Sequence, residues 1–236
     1  MPCEVSQSLP AQINRIFLDA YRQLWPGASL PEIRAEFYPF VSVKNTIRRR
    51  DNVLQARISD QLDSAPETVL HALAHLLLAK VYRKRPEAAQ VLLYRQYVAS
   101  HEMNTRAHTV RQMRGRKRIT TPSGDIYHLE EIFDELNRRF FQGLLHRPRI
   151  TWSATRSRRR LGHYDSSHHV IVVSRIFDHH TVPRYAVEYI LYHEMLHLKH
   201  PVKLSGSRRC VHGKEFRADE KLFPQLDRAK MFLKTL

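Results

Sequence analysis

A pattern in the first half of the chain returns in the second. Ile16-Phe17, Trp25 and Gly27 are matched 116 residues later by Ile132-Phe133, Phe141 and Gly143. Ile33 and Val53-Leu54 are matched at an offset of 117 by Ile150 and Val170-Ile171, and Arg57-Ile58 at 118 by Arg175-Ile176. After a further four-residue step, His71-Ala72-Leu73-Ala74-His75 stands opposite His193-Glu194-Met195-Leu196-His197 at 122. Offsets that only grow along the chain describe one unit used twice with small insertions. Each copy opens with an amphipathic helix, expected over residues 11–25 and 129–142. Strands are expected at 33–40, 41–47 and 53–58, with Arg48-Arg49-Arg50-Asp51-Asn52 as the turn, and near 149–152, 160–164 and 170–174. A helix bearing two histidines closes each copy. The first starts at a capping box on Ser64 with Pro66 and Glu67, and the second after Thr181 and Pro183. A further helix is expected from Pro86 to about Ala99. The expected fold class is therefore α+β, with two tandem helix–three-strand–helix units. Residues 1–100 form the first unit, 101–125 a basic linker with a turn at Pro122-Ser123-Gly124, and 126–236 the second unit.

The two copies differ where chemistry is at stake. In the second, His193-Glu194-Met195-Leu196-His197 is an H-E-x-x-H sequence on a helix. Residues four apart share a helix face, so two imidazoles can meet one metal ion, with Glu194 beside the first as a general base. Zinc hydrolases use this pairing because the metal lowers the pKa of a bound water toward about 7 and polarises the scissile carbonyl. Two histidines leave the site short of a ligand. His200 lies three residues on, before Pro201; Glu215 and Glu220 follow in the next segment. His212, at a loop-to-helix junction ahead of Phe216, is the favoured third ligand. Oxyanion donors could come from His163, Tyr164 or Tyr192. In the first copy Ala72 replaces the glutamate, and no histidine occurs between His75 and His101. That copy is expected to lack a complete metal site, so one Zn2+ per chain is expected.

His193-Glu-Met-Leu-His197, an intervening loop and His212-Gly-Lys-Glu-Phe216 resemble the SprT-like metalloproteases, the family that includes Spartan-type enzymes. Leu161-Gly-His-Tyr164 and Val170-Ile-Val-Val-Ser174 extend the resemblance upstream, so that it covers about residues 126–225. The resemblance implies a zincin-like fold for both units, the N-terminal one degenerate. It implies His193, His197 and His212 as zinc ligands, Glu194 as catalytic base, and zinc-dependent endopeptidase activity on protein or peptide substrates, including DNA-associated proteins. Many members add a C-terminal zinc ribbon; Cys210 is the last of only two cysteines here, so no ribbon is expected.

Charge bears on partners. The net charge is +16, which favours polyanions. Residues 103–124 contain no acid but include Arg114, Arg116, Lys117 and Arg118; residues 136–164 are again acid-free and include Arg158, Arg159 and Arg160. These seven are candidate DNA contacts. Few aromatics interrupt the tracts, so contact with phosphates is expected rather than base stacking. A nucleic-acid-binding protein with a structural or vestigial zinc site is the alternative reading. No apolar run approaches a membrane span, no secretory leader is visible, and Cys3 and Cys210 make no disulfide framework. A cytoplasmic setting without membrane attachment is expected.

Overall fold

The computed structural model describes residues 9–205 and 208–236, which fall into two units meeting at Gly115 and Arg116. Cys3 lies outside the described residues.

In the first unit, α1 (Leu9–Leu24) buries Ile13, Ile16, Phe17, Ala20 and Tyr21, a stripe at helical spacing. Pro26 and Gly27, the latter at φ 82°, stop it. Strands β1 (Glu32–Tyr38), β2 (Thr46–Arg50) and β3 (Val53–Ser59) form a sheet in the order β1-β3-β2. β3 is central because Leu54, Ala56 and Ile58 all point into the core; it runs parallel to β1 (Ile33 opposite Leu54) and antiparallel to β2. A 3-10 turn, Asp60–Leu62, follows, its start capped by Ser59 Oγ accepting from the Gln61 N–H. Then come α2 (Glu67–Val81), α3 (Ala88–Val98) and α4 (His101–Arg114). The long, apolar α2 is buried over most of its surface, with His75 only 3% exposed and His71 half-buried.

Four expectations need correction here. Residues 41–45 are a loop, and β2 begins only at Thr46. Arg48, Arg49 and Arg50 belong to β2, and the turn is Asp51-Asn52, with Asp51 at φ 53°. An edge strand tolerates consecutive charges because much of it faces water. Ser64 does not cap α2; its hydroxyl accepts from Arg106, and Pro66 occupies the capping position without a side-chain bond. Finally, residues 101–125 are not a linker. α4 occupies 101–114, Ser100 caps it, Met103 is buried, and Arg106 and Arg114 pair with Asp63 and Asp60. The rest of the tract belongs to the second unit, where Thr120 bonds Thr151 and the Trp152 N–H donates to Thr121 O.

The second unit opens with α5 (Leu129–Phe141), which ends in two left-handed residues, Gln142 and Gly143. Strands β4 (Arg149–Trp152), β5 (Gly162–Asp165) and β6 (Val170–Val173) are ordered β4-β6-β5, with β6 parallel to β4 and antiparallel to β5. The four residues of β6 are all buried, as a central strand covered on both faces should be. A 3-10 turn, Arg175–Phe177, is capped by Ser174, and α6 (Arg184–Lys199) crosses the core behind the sheet. A short hairpin of β7 (Lys203–Ser205) and β8 (Arg208–Cys210) leads to α7 (Lys214–Glu220) and α8 (Leu226–Leu233). Phe133, Trp152, Phe177, Tyr192 and Leu196 are among the buried side chains of its core.

Both units therefore run helix, three strands, 3-10 turn, helix, with the third strand central and the same parallel and antiparallel neighbours. Ile33 and Ile150 take equivalent register positions, opposite Leu54 and Ile171. The match of Arg57-Ile58 with Arg175-Ile176 does not hold: the first pair lies in a strand and the second in a 3-10 turn. The capping serines, Ser59 and Ser174, are the equivalent positions. Among the described residues no helix is long and apolar enough to cross a membrane.

Candidate metal centre

α6 carries the H-E-x-x-H residues on one helical turn and buries Glu194 while leaving His193 and His197 partly accessible. The β7–β8 hairpin and the start of α7 return the chain so that His212 faces them. One ligand-type atom from each of His193, His197 and His212 lies within 4.8 Å of the others. His197 Nε2 and His212 Nε2 are 3.3 Å apart, about the edge of a tetrahedron built on Zn–N bonds of ~2.05 Å. Phe216, 1% exposed, sits under the group with its ring centroid 5.1, 4.8 and 4.6 Å from the rings of His193, His197 and His212. It holds the imidazoles apart from the core and limits their tilt.

The donor set suits zinc. Burial lowers the proton affinity of His193 and His197, the latter to about 4, with the neighbouring imidazoles adding to the effect. Neutral imidazole is the form that binds a metal. His193 Nδ1 lies 2.8 Å from Glu220 Oε1, so Nδ1 carries the proton and Nε2 is left as the donor. Glu220 is thus not a rival ligand but the carboxylate behind one. It also accepts from the Tyr189 hydroxyl and pairs with Lys230. His200 is drawn off by Asp219, with 2.7 Å between Nε2 and Oδ2, and Lys199 reaches the same oxygen. Glu215 and Cys210 lie outside the three-histidine group. Cys210 is an exposed free thiol.

Glu194 is 5% exposed, and burial pushes its carboxyl up to about 7, opposed by a hydrogen bond from the Tyr164 backbone and by the Arg160 charge. Gly162 makes this position sterically feasible. A Cβ there would stand 2.8 Å from Glu194 Oε1 and 2.9 Å from Ile190 Cγ2. Strand alternation then puts Tyr164 on the same face of β5 as Glu194, and His163 and Asp165 on the other. His163 Nε2 contacts Lys117 Nζ at 2.9 Å, and burial followed by the Lys117 and Arg160 charges lowers His163 to about 4. The Tyr164 hydroxyl meets His169 Nδ1 at 2.9 Å. Tyr192 is 1% exposed and donates to Asp219 O, which makes it a tether for α7.

Residues 129–226 match the SprT-like family model. The second unit carries a SprT-like domain. The match begins at the first residue of α5 and ends at the first residue of α8, so it spans the sheet, α6 and α7. No curated protein and no solved structure matches the chain. Against this SprT-like domain, sequence reasoning missed the close approach at Gly162 and the contact of Glu220 with His193, having weighed Glu220 only as a rival to His212. The signal for Gly162 was a glycine within a strand, which marks a close approach.

The residues proposed to meet nucleic acid divide between the two units. Arg114 belongs to the first unit and is engaged by both carboxylate oxygens of Asp60 at 2.8 and 2.9 Å. Lys117 is held by Asp165 at 2.9 Å. Arg116, Arg118 and Arg158–160 are exposed.

Proposed function

We propose that the second unit is a zinc-dependent endopeptidase, with His193, His197 and His212 as the ligands and Glu194 as the general base. The convergence of three histidines beside a buried glutamate carries this reading. Zinc bound there would supply Lewis acidity, activating water and polarising a carbonyl. The chain's own part is to hold and move a proton. Glu194 takes one from the attacking water and returns it to the leaving amine, a transfer suited to a carboxyl whose proton affinity lies near neutral pH. Glu220 fixes the orientation and tautomer of His193, and Gly162 admits the Glu194 carboxylate to the sheet edge.

The first unit is a degenerate copy of the same unit. The shared strand order and register support this, as do the paired histidines of α2 with Ala72 where the base would be. His75 is buried and approaches Glu87 at 3.6 Å. Among the described residues it joins no group of three metal-binding side chains. The copy serves as a platform for substrate or for the second unit's partners. Substrates include proteins on DNA, consistent with the net charge and the exposed Arg116, Arg118 and Arg158–160. A cytoplasmic setting agrees with the absence of a disulfide framework.

The decisive variant is Glu194→Gln. It should retain zinc and lose hydrolysis of a protein substrate by about 10²–10⁴-fold, the usual worth of a general base. Full activity in zinc-loaded Glu194→Gln would reject the mechanism. His212→Ala should instead lose zinc; zinc retained there but released by Glu215→Ala would reject the ligand set.

A further inference from the structure

Most arginines of the first unit that have a visible partner are neutralised by carboxylates. Arg15 meets Glu67, Arg34 meets Glu32, Arg57 meets Glu36, Arg106 meets Asp63 and Arg114 meets Asp60. One surface departs from this. At edge strand β2, Arg48, Arg49 and Arg50 are all exposed, and at the end of α2 so are Arg83, Lys84 and Arg85. Between Glu36 and Asp60 the only acid is Asp51, and between Glu67 and Glu87 there is none.

The two clusters are joined through aromatic rings. Arg49 lies over the Tyr82 ring, with Cζ 5.2 Å from its centroid. Lys84 Nζ lies 5.4 Å from the Trp25 centroid, and Trp25 and Tyr82 pack at 4.5 Å. Tyr21 backs both rings, at 4.9 and 5.9 Å. Arg83 is placed by a left-handed residue geometry, φ 54°, that turns the chain outward after the helix. Strand alternation sends Arg48 and Arg50 to the open face of the sheet and Arg49 toward α2, so the charges wrap the edge strand.

The manner of fixation decides what this surface can do. A guanidinium held by a carboxylate has its charge cancelled; one held by a ring face is oriented yet keeps its full charge. Cations that merely complement the C-terminal end of α2 would not explain the arginines of β2. We infer that β2 and the C-terminal end of α2 form a nucleic-acid-binding surface that contacts the phosphate backbone without reading sequence. The rings are engaged by cations of the chain itself, so the contact is electrostatic rather than stacking. This inference is independent of the metal centre.

The test uses the full chain and a labelled random-sequence DNA duplex, with binding followed by fluorescence anisotropy over a range of salt. Changing Arg48, Arg50, Arg83 and Lys84 together to Gln should weaken binding at least tenfold. It should also reduce the slope of log K against log salt by roughly 0.9 for each phosphate no longer neutralised. Replacing the three arginines by Lys should keep most of the affinity, because the charge remains. Far-ultraviolet circular dichroism and thermal melting check that the Gln variant is folded, and an Arg83→Gln, Lys84→Gln pair provides a milder variant should it fail to fold. Affinity and slope within twofold of the parent in either folded variant would overturn the proposal. So would loss of binding to phosphatidylserine vesicles with duplex binding intact, which would assign the patch to a membrane surface.

Discussion

In the proposed mechanism, Glu194 must be buried enough to hold a proton near neutral pH and still reach a substrate. In the protein stripped of metal by chelation, burial raises its proton affinity from 4.5 to about 7. Between those values the unfolded chain has released a proton that the folded chain keeps. The stabilising contribution of this group is therefore fully present below 4.5 and is lost as pH rises through about 7, on the order of 3 kcal/mol. Glu194→Gln has no such loss. Urea denaturation of the chelated proteins should find the two equally stable near pH 4, with the variant the more stable at about pH 8. A gap that does not change with pH would show that Glu194 is not desolvated. At the neighbouring ligand, Glu220→Gln should keep the packing but weaken zinc binding about 10–100-fold, because the carboxylate that orients His193 is gone. Competition with a chelator measures it; an unchanged affinity would make Glu220 only a partner of Lys230 and Tyr189.

Among the elements, β5 is most tightly tied to the site. Gly162→Ala would push Cβ into Glu194 and Ile190, and should destabilise the fold by about 1–3 kcal/mol, seen as a lowered melting temperature. Melting at the parent temperature would mean that α6 can shift freely from the strand. The same elements show what sequence reveals. Buried segments were legible: β6 reads as a continuous apolar run, and α6 places Val187, Ile190 and Leu191 at helical spacing ahead of His193. β2 was not, because three arginines on an edge strand carry no apolar alternation and look like a turn. α4 was mistaken for a linker because only Met103 is buried and the helix is held chiefly by ion pairs across some forty or more residues of sequence. Within the site, His193, His197 and Glu194 are grouped by their spacing, and His212 is favoured by its place at a loop-to-helix junction. The part played by Glu220 does not follow from spacing, since its partner His193 lies 27 residues away and only the return of α7 makes them meet.

At the scale of the whole molecule, the proposed chemistry lies in one unit, and the other has the same strand order without a group of three metal-binding side chains among its described residues. α2 still offers His71 and His75 on one helical turn, yet His75 is buried with Nδ1 unpartnered among protein atoms, and Ala72 provides no carboxylate. Ala72→Glu should therefore create no second active site; added hydrolysis dependent on His75 would contradict that. The most direct test of the central claim is the zinc content of the purified chain by elemental analysis. One zinc per chain is expected, lost in His193→Ala and kept in His71→Ala. Two zinc ions per chain, or one that survives His193→Ala, would contradict it.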